Sequence, residues 1–265
     1  STTAPSEANL VGKWMLDADA CDTSGYNNNG TLGSGASNKP DWVSGRHSDA
    51  NGWALEFKDS ESDYVSINDS NSLDIRKGTV AAWIQTEDAG NGQNNTYVSK
   101  GRYRSLGGLV GTYGLWQTSS NNIEFYVYVG GVEYKAITPV NSSFNDVDDV
   151  NGVWHYVVGT YDGSNVKLYI DGQLKATTPK VGLIDTNTRY LVMGATPASG
   201  AGNMISGTYY TGRIDEVQIY NRALTQAEIM YLSEQNVNLY EDATVNFLDF
   251  AMLAEKWLET ENWPF

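Results

Sequence analysis

Between Leu10 and Tyr220 the chain alternates strand-like segments with turn clusters, and that punctuation leaves few architectures open. Val80, Ala82 and Ile84 alternate with Ala81, Trp83 and Gln85. Both sets are largely apolar, so this strand is expected to be covered on both faces. Val166, Leu168 and Ile170 alternate with Lys167 and Tyr169, and Asp171-Gly172 follows as a hairpin signal. Asp162-Gly163 plays a similar part after the Trp154 to Tyr161 strand. The spacing points to an all-β chain with two packed antiparallel sheets, a jelly-roll-like sandwich. The 265 residues suffice for one large β domain, and 27 Gly with 17 Tyr and 8 Trp suit many short strands joined by tight turns.

The run Gly212 to Leu232, GRIDEVQIYNRALTQAEIMYL, adds a strand that turns straight into a short helix. Ile214, Val217 and Ile219 supply β-branched bulk, and Asn221-Arg222 breaks the strand. Thr225 and Glu228 then stand in the spacing of a capping box. Asp215 and Glu216 are adjacent, so in a regular strand they point to opposite faces. Near the other end, Trp14, Asp17, Asp22, Ser24, Gly25, Gly30 and Leu32 hold the places of an aromatic strand followed by D-x-S-G-x-x-x-x-G-x-L. ALEFKDSESDYVSI (Ala54 to Ile67), TVAAWIQT (Thr79 to Thr86) and VWHYVVGTYDGSNVKLYIDGQL (Val153 to Leu174) lie between them. Together these five stretches resemble a laminin-G-like domain of the concanavalin A-like lectin/glucanase fold, in family order. The resemblance implies a β-sandwich over residues 10–235.

Beyond it, Asn238 to Asp249 (NLYEDATVNFLD) precedes a helix pattern from Asn246 to Leu258. Phe247, Phe250, Ala251, Ala254, Trp257 and Leu258 share one face there. This part, residues 236–265, resembles half of a dockerin repeat. Asn238, Tyr240 and Ala243 depart from the acidic and glycine positions of an EF-hand-like loop, so the loop is not expected to hold calcium. The helix is expected to pack on the sandwich or on a protein partner.

Charge narrows the partners. The formal net charge of −15 argues against nucleic acid and against anionic membrane surfaces. No apolar run approaches the ~20 residues needed to span a bilayer, so no membrane insertion is expected. Cys21 is alone, so no intrachain disulfide forms, and an inert role is expected for it. The start at Ser1 reads as a processed or trimmed end. The balance suits a secreted or cell-surface protein. Ser34 to Asn51, Glu87 to Asn95 and Asn141 to Asn151 read as long polar loops.

Catalytic patterns are weak. A glucanase strand carries carboxylates at alternate positions, and retaining hydrolysis needs a pair about 5–5.5 Å apart. Asp59-Ser60-Glu61-Ser62-Asp63 alone has the spacing, in a Ser-rich turn. His155 reads as structural and His47 as a solvated loop residue.

The resemblance implies a structural calcium ion between the first loop and the closing strand. Its ligands would be Asp22, the Gly25 carbonyl, Asn28 and Asp215, with Asp17 possible. Calcium takes six to eight oxygens, and Asp19, Asn27 and Asn29 add to the crowd. The alternative is that these Asp and Asn residues only shape turns.

For a glycan, sugar rings stack on Trp and Tyr while planar polar groups read hydroxyls. Ile123, Phe125, Val127 and Val129 share one face of a strand; Glu124, Tyr126 and Tyr128 share the other. Trp116 can join that second face, with Arg102, Tyr103 and Arg104 in the intervening loop. The Arg pair suits a uronate or sulfate. Alternatively these aromatics cover the core or the terminal helix. The expected function is non-catalytic binding of an extracellular polysaccharide. An adhesion module that binds protein is the alternative, and a hydrolase or lyase on the same fold the second.

Overall fold

A computed structural model describes residues 2–35, 37–46, 52–87, 94–105, 108–138, 153–198 and 203–234. Seventeen strands fall in chain order. They are β1 (Leu10–Trp14), β2 (Gly30–Leu32), β3 (Asp41–Ser44), β4 (Trp53–Phe57), β5 (Val65–Ile67) and β6 (Gly78–Thr86). Next come β7 (Asn95–Ser99), β8 (Arg102–Ser105), β9 (Gly108–Gly111), β10 (Tyr113–Gln117), β11 (Ile123–Val129) and β12 (Val132–Ile137). The last are β13 (His155–Tyr161), β14 (Asn165–Ile170), β15 (Gln173–Pro179), β16 (Leu191–Met193) and β17 (Gly212–Tyr220), followed by helix α1 (Gln226–Glu234).

An eight-stranded sheet runs β15-β14-β13-β6-β17-β4-β3, with β1 also on β17. A seven-stranded sheet runs β12-β11-β10-β7-β16-β5-β2. Both are antiparallel, and β8–β9 forms a separate hairpin. The expected two-sheet sandwich is therefore present. Alternation sorts each strand between core and outer face. From β6, Val80, Ala82 and Ile84 enter the core between the sheets. Ala81 and Trp83 face the other way, into a second apolar cluster. All nine residues of β6 are buried, as its two apolar faces require. From β11, Ile123, Phe125, Val127 and Val129 enter the core, each such side chain contributing about 1.5–3 kcal/mol on burial.

The turn chemistry follows the sequence. Asp171 and Gly172 both have positive φ, 50° and 74°, as a tight hairpin between β14 and β15 needs. The capping box also forms: Glu228 N–H donates to Thr225 Oγ1 at 3.3 Å, and Thr225 N–H donates to Glu228 Oε2 at 2.8 Å. Arg222 grips the same carboxylate with two bonds, at 2.8 and 2.6 Å, and holds its pKa down to about 2. So anchored, α1 adds Ile229 to the apolar cluster that Trp83, Tyr156, Tyr169 and Tyr220 form on the outer face of the eight-stranded sheet.

Three segments differ from the sequence reading. Within the expected loop 34–51, Asp41–Ser44 forms β3, an edge strand too short to show periodicity, paired with β4. Arg102 to Arg104 lie in the β8–β9 hairpin rather than in a loop. The third difference is at Asp215-Glu216, where β17 bulges and Glu216 takes a φ of 46°. Before the bulge β17 pairs β4; after it, β17 pairs β1. The bulge breaks alternation, so the two acids do not diverge: both reach Arg46, Asp215 Oδ2 at the backbone N–H (3.4 Å) and Glu216 Oε1 at Nη2 (2.6 Å). The expected appendage, 236–265, lies outside the described residues, as does His47.

Candidate functional site

The outer face of the seven-stranded sheet carries the aromatic and charged residues that β10 and β11 turn away from the core. Trp116 on β10 sits opposite Glu124 on β11. Its indole N–H donates to Glu124 Oε2 at 2.7 Å, and Lys135 Nζ from β12 donates to Glu124 Oε1 at 3.0 Å. Glu124 is buried and Trp116 half-buried, so the carboxylate fixes the plane of a partly exposed ring. Tyr128 hydrogen-bonds Glu133 at 3.5 Å and meets Tyr126 edge-on at 6.1 Å between ring centroids.

Tyr126 lies beneath this surface. It is 1% exposed, and its hydroxyl pairs with Ser99 Oγ at 2.8 Å. A Cβ at Gly114 would come within 2.5 Å of that hydroxyl, so glycine is required under the ring. Gly111 plays the same part beneath Tyr128.

A cleft of about 590 Å³ opens on this face. Trp116 and Tyr128 line it, with Val132 and Glu133 on one side and Thr196 and Ile205 to Thr208 on the other. Its size falls within the ~300–1,000 Å³ common for small-ligand sites. Of the residues expected to bind a glycan, the structure brings Trp116, Glu124, Tyr126 and Tyr128 together; two line the cleft and two support it. The side chains of Arg102, Tyr103 and Arg104 lie outside the described residues. Sequence reasoning missed Glu133 and Lys135. Their signal was the Gly130-Gly131 turn, both at positive φ, followed by alternation in VEYKAI. The wall of Thr196 and Ile205 to Thr208 left no comparable signal, because a β-bridge between Pro197 and Met204 brings its two parts together.

The residues expected at calcium fall into two groups. Asp22 accepts the backbone N–H groups of Lys13 and Ser24 on Oδ1 and of Asn28 on Oδ2, each at 2.9 Å. Asn28 donates to the Val11 carbonyl at 2.8 Å and to Ser72 Oγ at 2.9 Å. Gly25, exposed at φ 93°, turns the loop between them. Asp17 and Asp215 lie at the bulge end instead. Asp17 Oδ1 accepts Trp53 N–H at 3.0 Å. Asp215 is 3% exposed, and burial pushes its carboxyl up to about 8, with Glu216 and Asp17 adding repulsion and Arg46 opposing it. Among the described residues no three His, Cys, Asp or Glu side chains converge as a metal-binding group.

The acidic run at 59–63 is a short 3-10 turn, not a strand. Asp63 accepts Lys58 N–H at 2.9 Å inside it, and burial lifts its carboxyl to about 6. His155 Nδ1 pairs with Asp171 Oδ2 at 2.7 Å across the β13 terminus, a structural tie. Asp19 beside the exposed Cys21 raises the thiol pKa, which lowers its reactivity.

Comparison with known proteins agrees with this architecture. The binding domain of a paraclostridial mosquitocidal protein superposes with TM-score 0.66 at 18% identity, over 88% of this chain and 53% of that one. Domain 4 of an extracellular arabinanase from Geobacillus stearothermophilus, solved with arabinotriose, gives 0.61 at 16% identity, covering 85% and 98%. A botulinum neurotoxin binding domain, in complex with SialylT, gives 0.64 at 15%, covering 87% and 52%. The chain thus spans about half the length of the toxin domains it matches. No curated protein matches it. The concanavalin A-like lectin/glucanases family matches residues 59–230, more than half of the 265, and the chain belongs to that superfamily.

Proposed function

We propose that the chain is a non-catalytic carbohydrate-binding module and that its glycan lies in the cleft over Trp116. The observation that carries this reading is the Trp116–Glu124–Lys135 arrangement: a partly exposed indole held in one plane by a buried carboxylate. A pyranose or furanose face stacks on such a ring, and Glu133 with the Ser206–Thr208 backbone offers polar partners to hydroxyls. The arabinotriose complex of one structural neighbour supports a glycan as the ligand class. The extracellular arabinanase among these neighbours supports a secreted or cell-surface setting. Glu124 is engaged by Trp116 and Lys135, and Glu133 by Tyr128.

Calcium enters as a stabilising ligand at the Asp17–Asp215 end. The buried Asp215 carboxyl, with Asp17 as its acidic neighbour, would be relieved by a cation, whereas Glu216 is engaged by Arg46 and Asp22 and Asn28 already satisfy backbone groups. The test of function is a glycan array run beside reducing-sugar and unsaturated-uronate assays. Binding without product is the expected result. Product formation would overturn the reading, and an empty array would favour a protein ligand.

A further inference from the structure

A second groove, of about 440 Å³, lies away from the Trp116 cleft, near the start of β1 and of β6. Tyr26, Asp74, Arg76, Lys77 and Leu183 line it. Tyr26 is 49% exposed and Leu183 45%, so the groove has two apolar faces open to solvent. Leu73 and Ile75 are buried in the core, and this anchors the segment that presents Arg76 and Lys77 outward. The Arg76 carbonyl accepts Ile184 N–H at 2.9 Å, which fixes the backbone beneath its guanidinium stem. Lys77 runs over Gly163, where a Cβ would meet Lys77 Cε at 2.6 Å.

Charge pairing divides the cations among the described residues: Lys13, Lys39, Lys167, Lys175, Lys180 and Arg189, like the two in this groove, show no ion pair. Arg46, Lys58, Lys100, Lys135, Arg213 and Arg222 each reach a carboxylate within 4.0 Å. Arg76 and Lys77 are both exposed and show no ion pair among the described residues. Asp74, the acid in the groove wall, is held by Lys100 Nζ at 3.5 Å. In a chain of net charge −15, two adjacent unpaired cations beside an exposed aromatic ring form a local positive site.

We infer that this groove is a second glycan subsite, selective for an anionic sugar. An Arg fork takes a carboxylate or sulfate through two parallel bonds, and Lys adds a point charge. Tyr26 supplies the stacking face for the sugar ring. Neutral sugars lose the charge-assisted bonds here and remain ligands of the Trp116 cleft alone.

The test is calorimetric titration of the full chain with three probes: an oligogalacturonate, a sulfated heparin fragment and a neutral arabino-oligosaccharide. At least one anionic probe is expected to bind the wild type, with affinity falling as salt rises. Which one binds tells carboxylate from sulfate. The double variant Arg76→Gln, Lys77→Gln should weaken that binding at least tenfold while leaving the melting temperature and neutral-glycan binding unchanged. Tyr26→Ala should weaken it as well. The inference fails if neither anionic probe binds, if the double variant binds as wild type does, or if Trp116→Ala alone abolishes the anionic binding. That last result places the anion in the other cleft and leaves the function proposed for it standing.

Discussion

The outer faces of the two sheets are built from the same ingredients and are covered differently. On the eight-stranded sheet, Trp83 stacks near Tyr156 at 5.1 Å, Arg46 lies 4.2 Å over the Trp83 ring, and Glu216 pairs with Arg46. On the seven-stranded sheet, Trp116 meets Glu124, Lys135 pairs with Glu124, and Tyr128 lies beside Tyr126. Each face has indole, phenol, acid and cation. On the first, Arg46 lies over the Trp83 ring, α1 adds Ile229 to the same apolar cluster, and Trp83 is 3% exposed; on the second, Glu124 and Tyr128 are buried as deeply while Trp116 stays partly exposed. The second keeps a cleft of about 590 Å³. Composition on a face therefore does not mark a binding surface; what covers the face decides whether its aromatics stabilise the fold or meet a ligand.

Four substitutions break or sharpen that contrast. Trp83→Ala removes a buried ring and should cost about 3–5 kcal/mol in chemical denaturation. Asp215→Asn probes the bulge in the same sheet. Its carboxyl has a folded pKa of about 8 against an ordinary value near 4, so the folded state prefers the protonated form. Stability is then complete below about pH 4, declines as pH rises to about 8, and stays low above it. Asparagine mimics the protonated acid, so melts should show a flattened profile and a gain of ~1–3 kcal/mol at about pH 9 in chelator. Added calcium should raise the wild-type melting temperature at that pH and leave the variant unmoved; a chelator-insensitive wild type would remove the calcium proposal. Trp116→Ala should lower glycan affinity tenfold or more, about 1.4 kcal/mol, yet barely move the melt. Smallest is Thr225→Ala, which removes the cap of α1 and should cost ~1 kcal/mol. Equal stability losses for Trp83→Ala and Trp116→Ala would erase the distinction between the faces.

What the sequence revealed tracks how local each feature is. The β11 alternation picked out the core-facing set, because period two is imposed by the backbone itself, but the opposite set, Glu124, Tyr126 and Tyr128, is buried as well rather than displayed on a surface. The Thr225–Glu228 cap was equally legible, since both bonds close within four residues. The bulge at Asp215-Glu216 was not. It arises where β17 changes partner from β4 to β1, segments about 160 and 200 residues away in sequence. The strand Asp41–Ser44 was hidden for a related reason: its identity comes from pairing with Ala54 and Leu55. At the cleft, Trp116, Glu124 and Tyr128 were readable as one face, but the wall of Thr196 and Ile205 to Thr208 is assembled by tertiary contact. Of that face only Trp116 is partly exposed; Glu124, Tyr126 and Tyr128 are all buried, a distinction that alternation cannot make.

The contrast between the two faces has a direct readout in the indole N–H resonances of Trp83 and Trp116, assigned by substitution and followed as a glycan that scores on the array is titrated. The account predicts that the Trp116 indole, bonded to Glu124 at the edge of the cleft, shifts in saturable fashion while that of Trp83 stays fixed. A shift of Trp83 with Trp116 unmoved would contradict it, and would place the ligand on the face where Trp83 is buried.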